Sequence, residues 1–161
     1  MRMIRIVLVF MGLLALVNKP VLGQSTAGDE QTLRGVTRVN VVIEELPSDA
    51  INDGLTKDQL QTDVELRLRG ARLQIAGTAY ALLYVNTHLM KSRAGLYIYN
   101  VVVQVEQPVT VLANSTITVA PTWHQEGMGS EMASTMAQTV RDKVAFLVDK
   151  FLNDYLRVNP K

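Results

Sequence analysis

The strictest alternation of apolar and polar positions in the chain lies between Leu96 and Glu106. Odd positions from Tyr97 read Tyr, Tyr, Val, Val, Val, while the even ones drift to Asn100, Gln104 and Glu106. β-Branched and aromatic side chains suit a pleated surface, so this stretch predicts a central strand with one dry face and one partly wet face. The same two-residue period at Val39, Val41 and Ile43 predicts a first strand, ended by Pro47. It recurs from Ala81 to Met90, with Ala81, Leu83, Val85 and Leu89 on one side and Tyr84, Asn86 and His88 on the other. Residues 91–95 turn this strand into the central one as a hairpin. After Glu106, Gln107-Pro108 interrupts the ladder, because proline has no N–H to donate, and predicts a bulge or a sheet margin. Val109 to Leu112 extends the run and Ala113-Asn114-Ser115 turns it. Thr116 to His124 then returns, with Ile117, Val119 and Trp123 facing one way and Thr116, Thr118, Thr122 and His124 the other.

Two stretches carry a helical period instead. Thr56-Lys57-Asp58-Gln59 has the form of a capping box, and Leu60, Val64, Leu68 and Ala71 follow at helical spacing up to a stop at Gly70. Acids early and Arg67 and Arg69 late match the helix dipole. A short segment from Arg72 to Ala76 then fits a second strand parallel to the first, reached by a strand–helix–strand crossover. Residues 125–130, with Gly127 and Gly129, read as a flexible link into a long helix from about Glu131 to Val158. Its apolar seam is Met132, Met136, Val140, Val144, Leu147, Val148, Phe151 and Tyr155. Together these elements predict an α+β, two-layer sandwich: a mixed sheet of four to five strands, two helices on one face, and the other face open.

The N-terminus has a different pattern. Met1 to Arg5 carries two arginines, Ile6 to Val17 is an apolar run short for a bilayer, and Val21-Leu22-Gly23 suits cleavage before Gln24. Residues 1–23 thus read as a signal peptide, 24–35 as a disordered lead-in, and 36–161 as a single domain. The leader contains Arg2, Arg5 and Lys19 of the 16 basic residues, leaving 13 against 15 acidic ones, a net charge of −2. With no basic cluster, nucleic acid is excluded as the expected partner. The absence of cysteine rules out a lipobox anchor and any disulfide, and an exported chain without disulfides fits a bacterial periplasm or exterior.

Candidate chemistry is sparse. Cysteine nucleophiles are absent, and neither of the two histidines lies by a nucleophile elbow or a paired-histidine metal motif. Asp49, Asn52, Asp53 and Gly54 suggest calcium, but no glutamate closes the loop at the twelfth position, and turn chemistry accounts for them. A zinc site would have to join His88 and His124 with Glu126 or Glu106, and a sugar-cleaving pair would have to be Glu44 and Glu106. A chain this short and open-faced offers little cleft for the carboxylate pair, and no catalytic, metal-binding or cofactor-binding residue is assigned. The candidate interaction surface is the polar and aromatic row on the wet face: Tyr84, Asn86, His88, Asn100, Gln104, Thr116, Thr118 and His124.

Several stretches carry a resemblance: Gly54-Leu55-Thr56 through Asp63-Val64-Glu65-Leu66-Arg67-Leu68-Arg69, Leu83-Tyr84-Val85-Asn86, Gly95-Leu96-Tyr97-Ile98-Tyr99, Thr122-Trp123, and Tyr155 to Lys161. In these the chain resembles small exported bacterial proteins of unassigned function. Its element order also resembles α+β domains of envelope assembly: the amino-terminal domain of TolB, lipoprotein activators of peptidoglycan synthases, and the curli secretion channel. The resemblance carries no activity with it; the polar and aromatic row on the wet face leads to the expected function, a non-enzymatic periplasmic or secreted module that binds an envelope protein or cell-wall component through its open sheet face. The competing expectations are a small-ligand carrier with a pocket between sheet and helices, and a small metal-dependent enzyme.

Overall fold

The computed structural model describes residues 29–160. The signal peptide expected over residues 1–23 lies outside them. A five-stranded mixed sheet has the order β2-β1-β3-β4-β5, with β1 at Arg38–Ile43, β2 at Gln74–Ile75, β3 at Leu82–Lys91, β4 at Leu96–Val111 and β5 at Thr116–Met132. Strand β1 is parallel to both β2 and β3, whereas β3, β4 and β5 form an antiparallel meander. A short helix α1, Ser48–Asn52, and the longer α2, Lys57–Gly70, make the crossover that the parallel pair needs. Helix α3, Ala133–Val158, closes the domain; at 1.5 Å per residue it is about 39 Å long.

Local chemistry sets these boundaries. The capping box is present: Gln59 N donates to Thr56 Oγ1 at 3.2 Å, and Thr56 N donates to Gln59 Oε1 at 3.0 Å. Helix α2 then buries Leu60, Val64 and Leu68, one residue per turn, and α3 buries Met136, Val140, Val144, Leu147, Val148, Phe151, Leu152 and Val158. Both stripes cover the same sheet face, where Val39, Val41 and Ile43 meet Leu83, Val85, Tyr97, Val101, Val103, Val105 and Trp123 in one apolar core. Between the helices, Arg141 grips Asp63 with two parallel hydrogen bonds, Nε to Oδ2 at 2.7 Å and Nη2 to Oδ1 at 3.0 Å. Such a fork fixes the helix–helix register more firmly than a single-point ion pair.

Four expectations change. Part of the lead-in expected to be disordered is ordered: Asp29–Leu33 is a 3-10 turn whose Leu33 is fully buried. Thr32 donates to Thr122 O, Gly35 N donates to Asn159 Oδ1, and Arg157 pairs with Glu30, which together tie the segment to β5 and the end of α3. Residues 125–130 are not a link. They pair with β4 from Val103↔Gln125 to Ile98↔Ser130, so β5 runs unbroken to Met132 and the helix starts at Ala133.

Gly127 and Gly129 are there for close approach. A Cβ on Gly129 would lie 2.5 Å from Tyr99 Oη, and one on Gly127 would lie 3.1 Å from Lys143 Cδ. Met132, placed on the helix seam by its spacing, is a half-exposed strand residue. Finally, the bulge lies between Val105 and Glu106 rather than at Pro108, which stays in β4 opposite Val119. The extra residue on β5 is Thr122, since Val105 pairs with Trp123 and Glu106 with Pro121. That one-residue insertion reverses the facing of everything beyond it. Trp123 points into the core, but Ile117 and Val119 lie on the open side with Glu106, and not with Trp123 as the alternation predicted.

Candidate functional site

The open face is a grid whose rows follow from strand register. One row runs Val42, Tyr84, Gln104, His124; the next has Asn86, Val102 and Glu126; then come His88, Asn100 and Met128; last are Met90, Ile98 and Ser130. Six of the eight residues expected to form the surface, Tyr84, Asn86, His88, Asn100, Gln104 and His124, therefore do share one face. Thr116 and Thr118 do not join them. They pair with Val111 and Val109 beyond the bulge, on the side opposite Ile117 and Val119, and past Leu82, where β3 begins.

The face has two chemical halves. Around Tyr84 it is polar: burial, and then a hydrogen bond to the Glu44 carboxylate, hold the Tyr84 hydroxyl above its usual pKa and keep it a neutral donor. Gln104 Nε2 donates to Glu106 Oε1 at 2.7 Å. Toward the other end the face is apolar. Met90, Ile98 and Met128 are 71%, 59% and 76% exposed, Met90 and Ile98 as a direct cross-strand pair and Met128 on the diagonal. They line, with His88, Leu89, Tyr99 and Asn100, a depression of about 420 Å³. At its edge, Asn100 Oδ1 is buried with no hydrogen-bond partner. Such an atom costs about 1–3 kcal/mol until a donor meets it. The alternation of β3 and β4 already places Met90 and Ile98 here. Met128 was hidden because its segment reads as a loop.

Register separates the candidate reactive groups. His88 and His124 are two strands and two rows apart, four residues along the strand direction, roughly 16 Å between their backbones at ordinary strand spacings. The backbones of Glu44 and Glu106 are spaced about as far apart, and Tyr84 lies between them, its hydroxyl acted on by both carboxylates. Among the described residues, no three of His, Asp and Glu converge as metal ligands. Between sheet and helices, Trp123, Tyr97, Phe151 and Met136 are fully buried.

One polar cluster, anchored on the buried Tyr97, lies at the edge of the core. Asp53 Oδ2 accepts from Tyr97 Oη and from Lys91 Nζ, each at 2.6 Å. These bonds hold the Asp53 carboxyl below its ordinary pKa, and burial beside it pushes the Tyr97 hydroxyl up. The cluster fastens the loop before α2 to the β3–β4 hairpin, as a structural tie.

No protein-family model matches the chain, and no curated protein sequence does. Among solved structures it is similar to a minor lipoprotein of Acinetobacter baumannii at 14% identity and a TM-score of 0.38, over 73% of this chain and 91% of that one. It is also similar to the PelC dodecamer of Paraburkholderia phytofirmans, at 13% identity and a TM-score of 0.39, over 70% and 83% of the two chains. A third, described as a lipoprotein of Caulobacter crescentus, aligns at 14% identity and a TM-score of 0.36, over 84% and 98%. Among the described residues, no helix is long and apolar enough to cross a membrane.

Proposed function

We propose that the protein is a non-enzymatic binding module of the cell envelope, which docks an apolar segment of an envelope protein on the open face of its sheet. The observation that carries this reading is the exposed trio Met90, Ile98 and Met128 beside the unpartnered Asn100 oxygen. Methionines adapt their shape to a partner at little cost. An envelope location is supported by the basic, apolar and small-residue order of Met1 to Gly23.

The test is site-specific photocrosslinking in cells. A crosslinker at Met128 should give one discrete protein adduct, and Ile98→Lys should abolish it without moving the thermal midpoint. A crosslinker at Leu66, exposed on the outer side of α2, is the control. Equal adducts from both positions, or none from Met128, would refute the reading.

A further inference from the structure

Beyond the bulge, β4 and β5 leave the body of the domain. The last strand neighbour is Leu82, opposite Glu106, and the last side-chain ties to the body are those of Gln107 and Thr122 with the 3-10 turn. Residues 108–119 project as a two-stranded arm, turned at Ser115 in the left-handed region, with Ser115 N donating to Val111 O at 2.8 Å. No Asp, Glu, Lys or Arg occurs from Gln107 to Trp123, in a chain that is 19% charged. Leu112, Ile117 and Val119 on this arm are 96%, 73% and 56% exposed.

Projecting strands are normally guarded by lysines, inward charges or a covering element, because unpaired N–H and C=O groups template further pairing. This arm has none of these. A two-stranded ribbon is marginal alone, whereas three or more strands hold together. Its side chains are also those of a strand seeking a strand. The cross-strand pairs Val109–Thr118, Thr110–Ile117 and Val111–Thr116 are β-branched throughout, with threonine beside an aliphatic on both faces. A lipid surface would call for one apolar face with aromatic and basic residues, and the arm carries neither kind. An arm of the same kind meets every requirement: no charge to desolvate, matching β-branched faces, and a free edge.

We propose that the arm is a self-association element and that its occupant is a second copy of this chain. Two copies pair antiparallel along the free edge of β5 at residues 116–120, about a two-fold axis near Thr118, forming a four-stranded ribbon. Pro121, with no N–H to give, ends the pairing.

Sedimentation of the purified protein over a range of concentrations tests this. The expected result is a concentration-dependent dimer, insensitive to salt because no ion pair takes part. Ile117→Lys should raise the concentration for association at least tenfold and leave the thermal midpoint unchanged. The chain has no cysteine, so Thr118→Cys reports on geometry directly: facing positions in antiparallel strands lie within disulfide reach, and mild oxidation should crosslink two copies. Met128→Cys, at the far end of the open face, should not crosslink. A protein monomeric at every concentration overturns the proposal, as does association that Ile117→Lys leaves intact. A monomer that floats with vesicles of phosphatidylethanolamine and phosphatidylglycerol overturns it in favour of a membrane.

Discussion

Strands β4 and β5 pass through two environments within one hairpin. From Tyr97 to Val105 every odd residue is buried, because α3 lies across that face, and Trp123 closes the far end edge-to-face on Phe151 at 5.3 Å. One step further, past the Thr122 insertion, the same strands carry no buried residue at all. The half under α3 is a strand because of what it packs against. The arm remains a strand through local preference alone, its β-branched residues and its turn. Burial therefore sets the register of the first half strongly, while the arm's own fold depends on little beyond its hydrogen-bond ladder.

The sharpest way to break this comparison is to truncate one apolar residue in each half. Trp123→Ala should cost about 3–5 kcal/mol, since it leaves a cavity under α3 and strips Asp154 Oδ2 of the indole N–H that donates to it at 3.0 Å. Ile117→Ala, in the arm, should stay within about 0.5 kcal/mol of the parent in dilute monomer. Urea denaturation separates the two outcomes. Similar losses for both would mean that the arm packs on the body after all.

How far the sequence could be read follows the same division. Where a helix covers the sheet, period-two alternation identified the faces of β1, β3 and β4, and the capping box set the start of α2, because burial and capping both act on side-chain identity. Three features depended on something else. A bulge adds one residue without changing composition, so alternation carried Ile117 and Val119 to the wrong side and grouped Thr116 and Thr118 with Tyr84. Gly127 and Gly129 have the composition of a loop, but what they provide is room for Lys143 and Tyr99, residues distant in sequence. Leu33 sits in a polar stretch, and its burial depends on elements nearly the whole chain away. The interaction surface suffered accordingly. Its polar half was legible, while its apolar end was missed along with Met128.

The glycines give the second test. Gly129→Ala places a methyl against the Tyr99 ring, 2.5 Å from Oη and 2.7 Å from Cζ, and Tyr99 is buried and cannot swing clear. Overpacking of this kind costs about 1–3 kcal/mol. Adding Tyr99→Val should restore part of the loss in a double-mutant cycle, because it removes the ring. Gly127→Ala meets only the flexible stem of Lys143 and should change stability by less than about 1 kcal/mol in either direction. If instead the two glycines served as a hinge, both substitutions would act alike and Tyr99→Val would rescue neither.

The smallest expected effect concerns the tie at the other end of the β3–β4 hairpin. Lys91 and Tyr97 both donate to Asp53 and hold its carboxyl below its ordinary pKa. A carboxylate with a depressed folded-state pKa contributes stability that is fully present above its unfolded value and is lost as the pH falls through the folded one. The Asp53 contribution should accordingly be constant at neutral pH and disappear below about pH 4, near the ordinary Asp value. Asp53→Asn keeps an acceptor for the Tyr97 hydroxyl but removes the charge that Lys91 faces. The variant should be less stable than the parent at pH 7, and the two curves should converge in acid. The tyrosine has the opposite sign. Its hydroxyl is held above its ordinary pKa, so its contribution is complete below about pH 10 and is lost as the pH rises beyond that. Tyr97→Phe should therefore flatten the alkaline limb of the stability curve while leaving the acid limb in place. An acid limb unchanged in Asp53→Asn would show that other carboxylates set the acid limit of this fold.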